Sequence, residues 1–267
     1  MKFFAATTVI AACMLIKTFV TAQSSEEASW GYKQNDPEMA SPEHWAEHFP
    51  ICGGTRQSPI NIETTTGGDL TARSLSFSGS CGNFTLTQSD ESFKGAVVGS
   101  SCSVSANDAS YTFNQFHMHS PSEHTINGQA LDGEVHFVHS NSDGSALLVV
   151  GLFFQAGDFE TDPWMVAVLD GMDAVTPENS QALNLASYAN LVNTKANADR
   201  VYNYPGSLTT PACNEIVDWW VVPTPVQLSS KDLGRLQTNL KKLHVTDSGK
   251  NARPVQALNG RTIASLK

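Results

Sequence analysis

Apolar and polar residues alternate along much of this chain in short runs that point to strands. The clearest run is Tyr111 to His119, where aromatic and β-branched residues interleave with polar ones. Alternation places Phe113, Gln115, His117 and His119 on one face. Gly133 to His139 alternates in the same way, with Glu134, His136 and Val138 on one face and His139 on the other. Ala146 to Phe154 is almost continuously apolar and reads as a strand buried on both sides. Helical signals are few, chiefly Ser187 to Lys195 and Ser229 to Leu240, and Gly, Ser, Asn and Pro clusters separate the rest. The pattern predicts a mainly β (α+β) fold with a mostly antiparallel sheet. No linker or internal repeat divides the 267 residues, so a single domain is expected.

The amino terminus departs from this pattern. Met1 and Lys2 precede an apolar stretch from Phe3 to Ile16, then Lys17, and Val20, Thr21 and Ala22 end on small residues. These features predict a signal peptide over residues 1–22 and a mature domain over 23–267. An uncleaved anchor is the lesser alternative, because the stretch is short for a membrane span and Lys17 interrupts it. The formal charge is −10, and removing Lys2 and Lys17 makes it more negative. With no basic run, that balance argues against nucleic acid or an anionic membrane as partner of the mature protein. Cys13 would leave with the signal, and Cys52, Cys81, Cys102 and Cys213 form an even set suited to an oxidising compartment, extracellular or periplasmic. Three pairings are open. Asn83-Phe84-Thr85 is the one glycosylation sequon.

Chemistry enters with the histidines. His117 and His119 lie two apart, about 7 Å along a strand, so both imidazoles can lean onto one ion. His136 on the second strand offers a third ligand. Three neutral imidazoles leave one tetrahedral position open, the arrangement of a catalytic zinc site. Gln115 and Glu134 each precede one of these histidines by two residues on the same face, where groups that orient metal-bound imidazoles belong.

Several separated blocks then carry a resemblance. They are Trp30-Gly31-Tyr32, Pro42-Glu43-His44-Trp45, Arg56 to Ile62, Gln115 to His119, Ser122-Glu123-His124-Thr125, Glu134 to His139, Tyr204 to Pro211 and Asn251 to Gln256. In order and spacing they resemble the α-class carbonic anhydrases of the secreted type, over nearly all of the mature sequence. The resemblance implies a large twisted central sheet with short surface helices and zinc at the base of a cleft. It implies zinc-dependent, reversible hydration of carbon dioxide to bicarbonate and a proton by a zinc-bound hydroxide. His117, His119 and His136 would be the ligands, supported by Gln115, Glu134 and the backbone of Asn251. Thr209 and Glu123 would be the catalytic orienting pair. Val138, Val149, Leu208, Thr210, Val217 and Trp219 would line an apolar pocket for an uncharged substrate. Cys52 would pair with Cys213, as in many secreted relatives, which leaves Cys81 for Cys102.

One departure bears on rate. The family's fast members export a proton through a histidine on a strand before the metal strand, yet no histidine occurs between His48 and His117. Asp90 or Glu91 falls near that position, but ordinary carboxylates titrate near pH 4, too low for efficient relay at neutral pH. The shuttle is therefore unknown and turnover is expected to be slow or buffer-dependent. Leu131, where the family usually has an aromatic residue or histidine, predicts only local repacking. His124 and His139 read as hydrogen-bonded core groups. Two other readings stand beside the enzyme: a weakly active binding or extracellular matrix protein on the same fold, and a zinc hydrolase, for which no general base or groove is evident.

Overall fold

The computed structural model describes residues 29–64, 75–99, 101–106, 108–196 and 200–266, so the expected signal peptide lies outside the described residues. The first strands are β1 (Asn61–Ile62), β2 (Leu75–Gly79), β3 (Asn83–Gln88), β4 (Phe93–Val97), β5 (Cys102–Ala106) and β6 (Ala109–His119). Then come β7 (Thr125–Ile126), β8 (Gln129–Ala130), β9 (Gly133–Ser140) and β10 (Leu147–Gly157). The last are β11 (Gln181–Asn184), β12 (Val201–Gly206), β13 (Val217–Ser229) and β14 (Ala264–Leu266). The helices are α1 (Trp45–His48), α2 (Pro163–Ala174), α3 (Tyr188–Ala196) and α4 (Ser230–Leu240).

An eleven-stranded mixed sheet dominates, its main path running β11-β3-β4-β6-β9-β10-β13-β12-β14, with β5 joining β2 to β6. Every pair in this sheet is antiparallel except β10 with β13. The central strands are buried on both faces, which explains their near-continuous apolar sequence. Val135 and Phe137 of β9, Leu148, Val150 and Leu152 of β10 and Trp220 of β13 face one core beneath α2, α3 and α4. Val138, Val149, Phe153 and Trp219 point the other way, into a second cluster. Each such side chain taken out of water contributes roughly 1.5–3 kcal/mol.

Local chemistry sets the helix ends. Asp162 caps α2 by accepting from Trp164 N at 2.9 Å, with Pro163 in the first turn. Ser229 caps α4 by accepting from Asp232 N at 3.1 Å. Arg235 of α4 clamps the two helices together through Asp170 at 2.7 Å and Asp173 at 2.6 Å. Two disulfides fix the periphery. Cys52–Cys213 ties the amino-terminal segment to the loop that carries Thr209, and Cys81–Cys102 joins the residues flanking the β3–β4 hairpin.

The alternation along β6 is not unbroken. Phe113 faces His139 and Gln115 faces Val138, so Asn114 is an extra residue in a bulge. The bulge turns Phe113 onto the helix-covered core, where it stacks on Tyr188 with centroids 4.3 Å apart. Phe113 therefore does not share the face of Gln115, His117 and His119.

Candidate metal centre

β6 and β9 pair so that His117 stands opposite His136 and His119 opposite Glu134. Their three imidazoles converge at the floor of a cleft, each offering one nitrogen, and these nitrogens all lie within 4.8 Å of one another. The remaining nitrogen of each ring is engaged. His117 Nδ1 donates to Gln115 Oε1 at 3.0 Å, and His119 Nδ1 to the Asn251 carbonyl at 2.7 Å. His136 Nε2 donates to Glu134 Oε1 at 3.0 Å. Those bonds fix the tautomers and turn the lone pairs of His117 Nε2, His119 Nε2 and His136 Nδ1 toward a common point.

The donor set fits a zinc ion. His119 Nε2 is fully buried and has no hydrogen-bond partner among the described residues, an arrangement that a metal would satisfy. Burial lowers the pKa of all three histidines, most of all His117, so the neutral form that ligates is favoured.

Glu134 anchors the floor. Its Oε1 also accepts from His124 Nδ1 at 2.7 Å, and its Oε2 accepts from the backbone N–H groups of Glu123 and His124 at 3.0 and 2.9 Å. Burial alone would raise its pKa, but the charges and hydrogen bonds of His124 and His136 win and hold it well below the usual range. His124 reaches on to the Tyr204 hydroxyl at 2.6 Å, itself 2.9 Å from Ser58 Oγ. His124 is thus a hydrogen-bonded core group. His139 is another, bonded to Leu148 O at 3.1 Å and Tyr188 at 2.8 Å on the opposite face.

Glu123 accepts from Arg253 N at 2.9 Å, and its other oxygen lies 3.5 Å from His119 Nε2. Burial pushes Glu123 up to about 7, against His136, the Arg253 backbone and the Thr209 hydroxyl, all of which lower it. A cation held by the histidines would favour its carboxylate form.

Val138, Val149, Leu208, Thr209, Thr210 and Trp219 line the cleft with the three histidines, Gln115 and Asn251. Val217 does not. It is buried in the cluster with Val138, Val149 and Trp219, behind the lining. Leu131 packs partly buried against that cluster. Cys52, Cys213, Cys81 and Cys102 pair as the resemblance implied. Among the described cleft-lining residues the only histidines are His117, His119 and His136. Glu91 lines the cleft and Asp90 does not. Sequence reasoning missed Trp30, Tyr32, Ser92 and Lys94 as wall residues. For Lys94 a signal existed, since Phe93 and Gly95 are the apolar positions of its strand.

Comparison with known proteins agrees with this geometry. The eukaryotic-type carbonic anhydrase family matches residues 40–267, and the chain belongs to that family. A carbonic anhydrase from Pectobacterium carotovorum is 29% identical, over 94% of this chain and 96% of its own. The α-carbonic anhydrase from Thermovibrio ammonificans, solved with sulfanilamide, superposes with a TM-score of 0.72 at 30% identity, covering 89% of this chain and 99% of that one. Dioscorin, solved with ascorbate, gives 0.75 at 26% identity over 90% and 98%. Family and fold together support carbon dioxide hydration as the activity class. Among the described residues no helix is long and apolar enough to cross a membrane, and the two disulfides fit an oxidising compartment.

Proposed function

We propose that this protein hydrates carbon dioxide reversibly to bicarbonate and a proton, with zinc held by His117, His119 and His136. The observation that carries the reading is the convergence of three lone pairs, each ring fixed from behind by Gln115, Asn251 or Glu134. Zinc, when bound, supplies a nucleophile at neutral pH by acidifying water. The chain's own residues position the reactants. Thr209 donates a hydrogen bond from its hydroxyl to Glu123, which leaves its oxygen free to accept from the nucleophile and aim it. Val138, Val149, Leu208 and Trp219 form a wall with no strong dipole, suited to a substrate without charge. Glu134 and Gln115 hold the imidazoles in the ligating tautomer.

No histidine beyond the three ligands lines the described cleft. Proton export then depends on buffer, and turnover is slow when buffer is dilute. Secretion of 23–267 after removal of residues 1–22 belongs to the same reading, and the two disulfides support the oxidising compartment it requires. The likeness to dioscorin, a protein solved with ascorbate, is the one observation that favours a binding role. The intact triad with Glu123 and Thr209 favours catalysis.

Stopped-flow hydration assays across a wide range of buffer concentration test this reading. The rate should climb with buffer, and a Thr209→Val variant should lose roughly 100-fold in kcat/KM, the scale of one lost transition-state interaction, while still binding zinc. A rate indifferent to buffer contradicts the proton-export proposal, and absence of hydration with zinc bound contradicts the function.

A further inference from the structure

Lys94 is a charge in the cleft that the proposed mechanism leaves unused. Its strand neighbours Phe93 and Gly95 are buried, Phe93 in the helix-covered core, so Lys94 projects from the opposite face. That face is the cleft, and Lys94 lines it beside Ser92 and Glu91. β4 pairs β6 with Gly95 opposite Phe116 and Ala96 opposite Gln115. Lys94 and His117 each adjoin the Gly95–Phe116 pair on the cleft side, and both line the cleft. Among the described residues no carboxylate lies within ion-pair distance of the Lys94 ammonium, so its charge is not cancelled locally. Glu91 is the opposing charge on the same wall, placed in the turn before β4.

We infer that Lys94 is a specificity residue that draws small monovalent anions, bicarbonate among them, to the metal centre and leaves carbon dioxide unaffected. The inference rests on the proposed function for its biological sense. One reactant is neutral and the other carries a charge, so a cation on the cleft wall acts on one side of the reaction only. Lys94 therefore tightens bicarbonate binding in the dehydration direction and slows product departure in hydration. It also makes the site sensitive to competing anions, and salt weakens the effect because Lys94 is exposed at the cleft wall.

The test uses the full chain loaded with cobalt(II), whose visible spectrum reports anion binding without turnover, and thiocyanate as the probe. Lys94→Gln should raise the Kd for thiocyanate roughly three- to tenfold, Lys94→Glu should raise it further, and Lys94→Arg should restore it. In the zinc-loaded protein the KM for carbon dioxide should change less than about twofold for all three, while the KM for bicarbonate rises with Lys94→Gln. Matched melting curves identify any variant that has lost its fold. Equal thiocyanate Kd values for Lys94, Gln and Glu overturn the inference, as does wild-type protein whose spectrum does not respond to thiocyanate. If the Kd series behaves as expected but no variant hydrates carbon dioxide, the proposed function fails and the role of Lys94 in anion binding stands.

Discussion

Glu134 Oε1 lies 3.0 Å from His136 Nε2, so this carboxylate decides which nitrogen of His136 is turned to the cleft. The same oxygen holds His124, and its twin holds two backbone amides. All four partners donate, and only an ionised carboxylate accepts from all of them. Glu134→Gln must set its NH2 group against at least one donor. Zinc affinity should fall by about 10- to 100-fold, measured by competition with a chromogenic chelator. An unchanged affinity would show that the tautomer of His136 is fixed by something else.

Gly151 of β10 sits opposite His136, and a Cβ built on it would meet Glu134 Oε1 at 2.5 Å. The missing side chain leaves room for the Glu134 carboxylate at that place. Gly151→Ala should cost about 1–3 kcal/mol in urea unfolding and weaken zinc binding as well, because Glu134 must shift to clear the methyl group. A variant with the wild-type midpoint and wild-type zinc affinity would contradict this.

These two residues show where sequence reasoning carries and where it stops. A period of two was enough to bring His117, His119, Gln115, Glu134 and His136 together, because ligands and supports lie on adjacent rungs of one strand pair. The bulge at Asn114 was not legible, since an inserted residue leaves the composition of a strand unchanged, and it moved Phe113 to the other core. The parallel pairing of β10 with β13 was equally hidden, as it joins segments some seventy residues apart whose apolar runs would suit either direction. α2 could have been found from Asp162-Pro163, a cap followed by proline in the first turn. Val217, which the resemblance places in the pocket wall, is instead buried behind it.

His139 predicts a pH dependence. Burial lowers its pKa to about 4, against an ordinary value of 6.5. The unfolded chain then binds more protons than the native one between those values, so stability rises with pH across the window and is lost as pH falls through it. The full loss amounts to about 3 kcal/mol, of which about 2 kcal/mol falls between pH 7 and pH 5, and the three cleft histidines act in the same direction. Chemical denaturation at pH 7 and pH 5 should show the loss, and His139→Gln should reduce the difference between the two. A His139→Gln protein with the wild-type pH dependence would remove His139 from this account.

Cys52–Cys213 closes a loop with a sequence separation of 161. Removing it through Cys52→Ser with Cys213→Ser should cost about 2–5 kcal/mol. Because the bridge anchors the loop that carries Thr209, kcat/KM should fall with it, before any global unfolding. Full activity with a lowered denaturant midpoint would confine the bridge to stability alone.

The most direct measurement is carbon dioxide hydration by the same preparation in three states: zinc-loaded, stripped by a chelator, and reloaded with one equivalent of zinc. The account predicts activity, its loss, and its return at a stoichiometry of one metal per chain, with His119→Ala inactive throughout because the buried Nε2 that would ligate the metal is gone. Activity that survives complete removal of zinc, or that survives in His119→Ala, would contradict it.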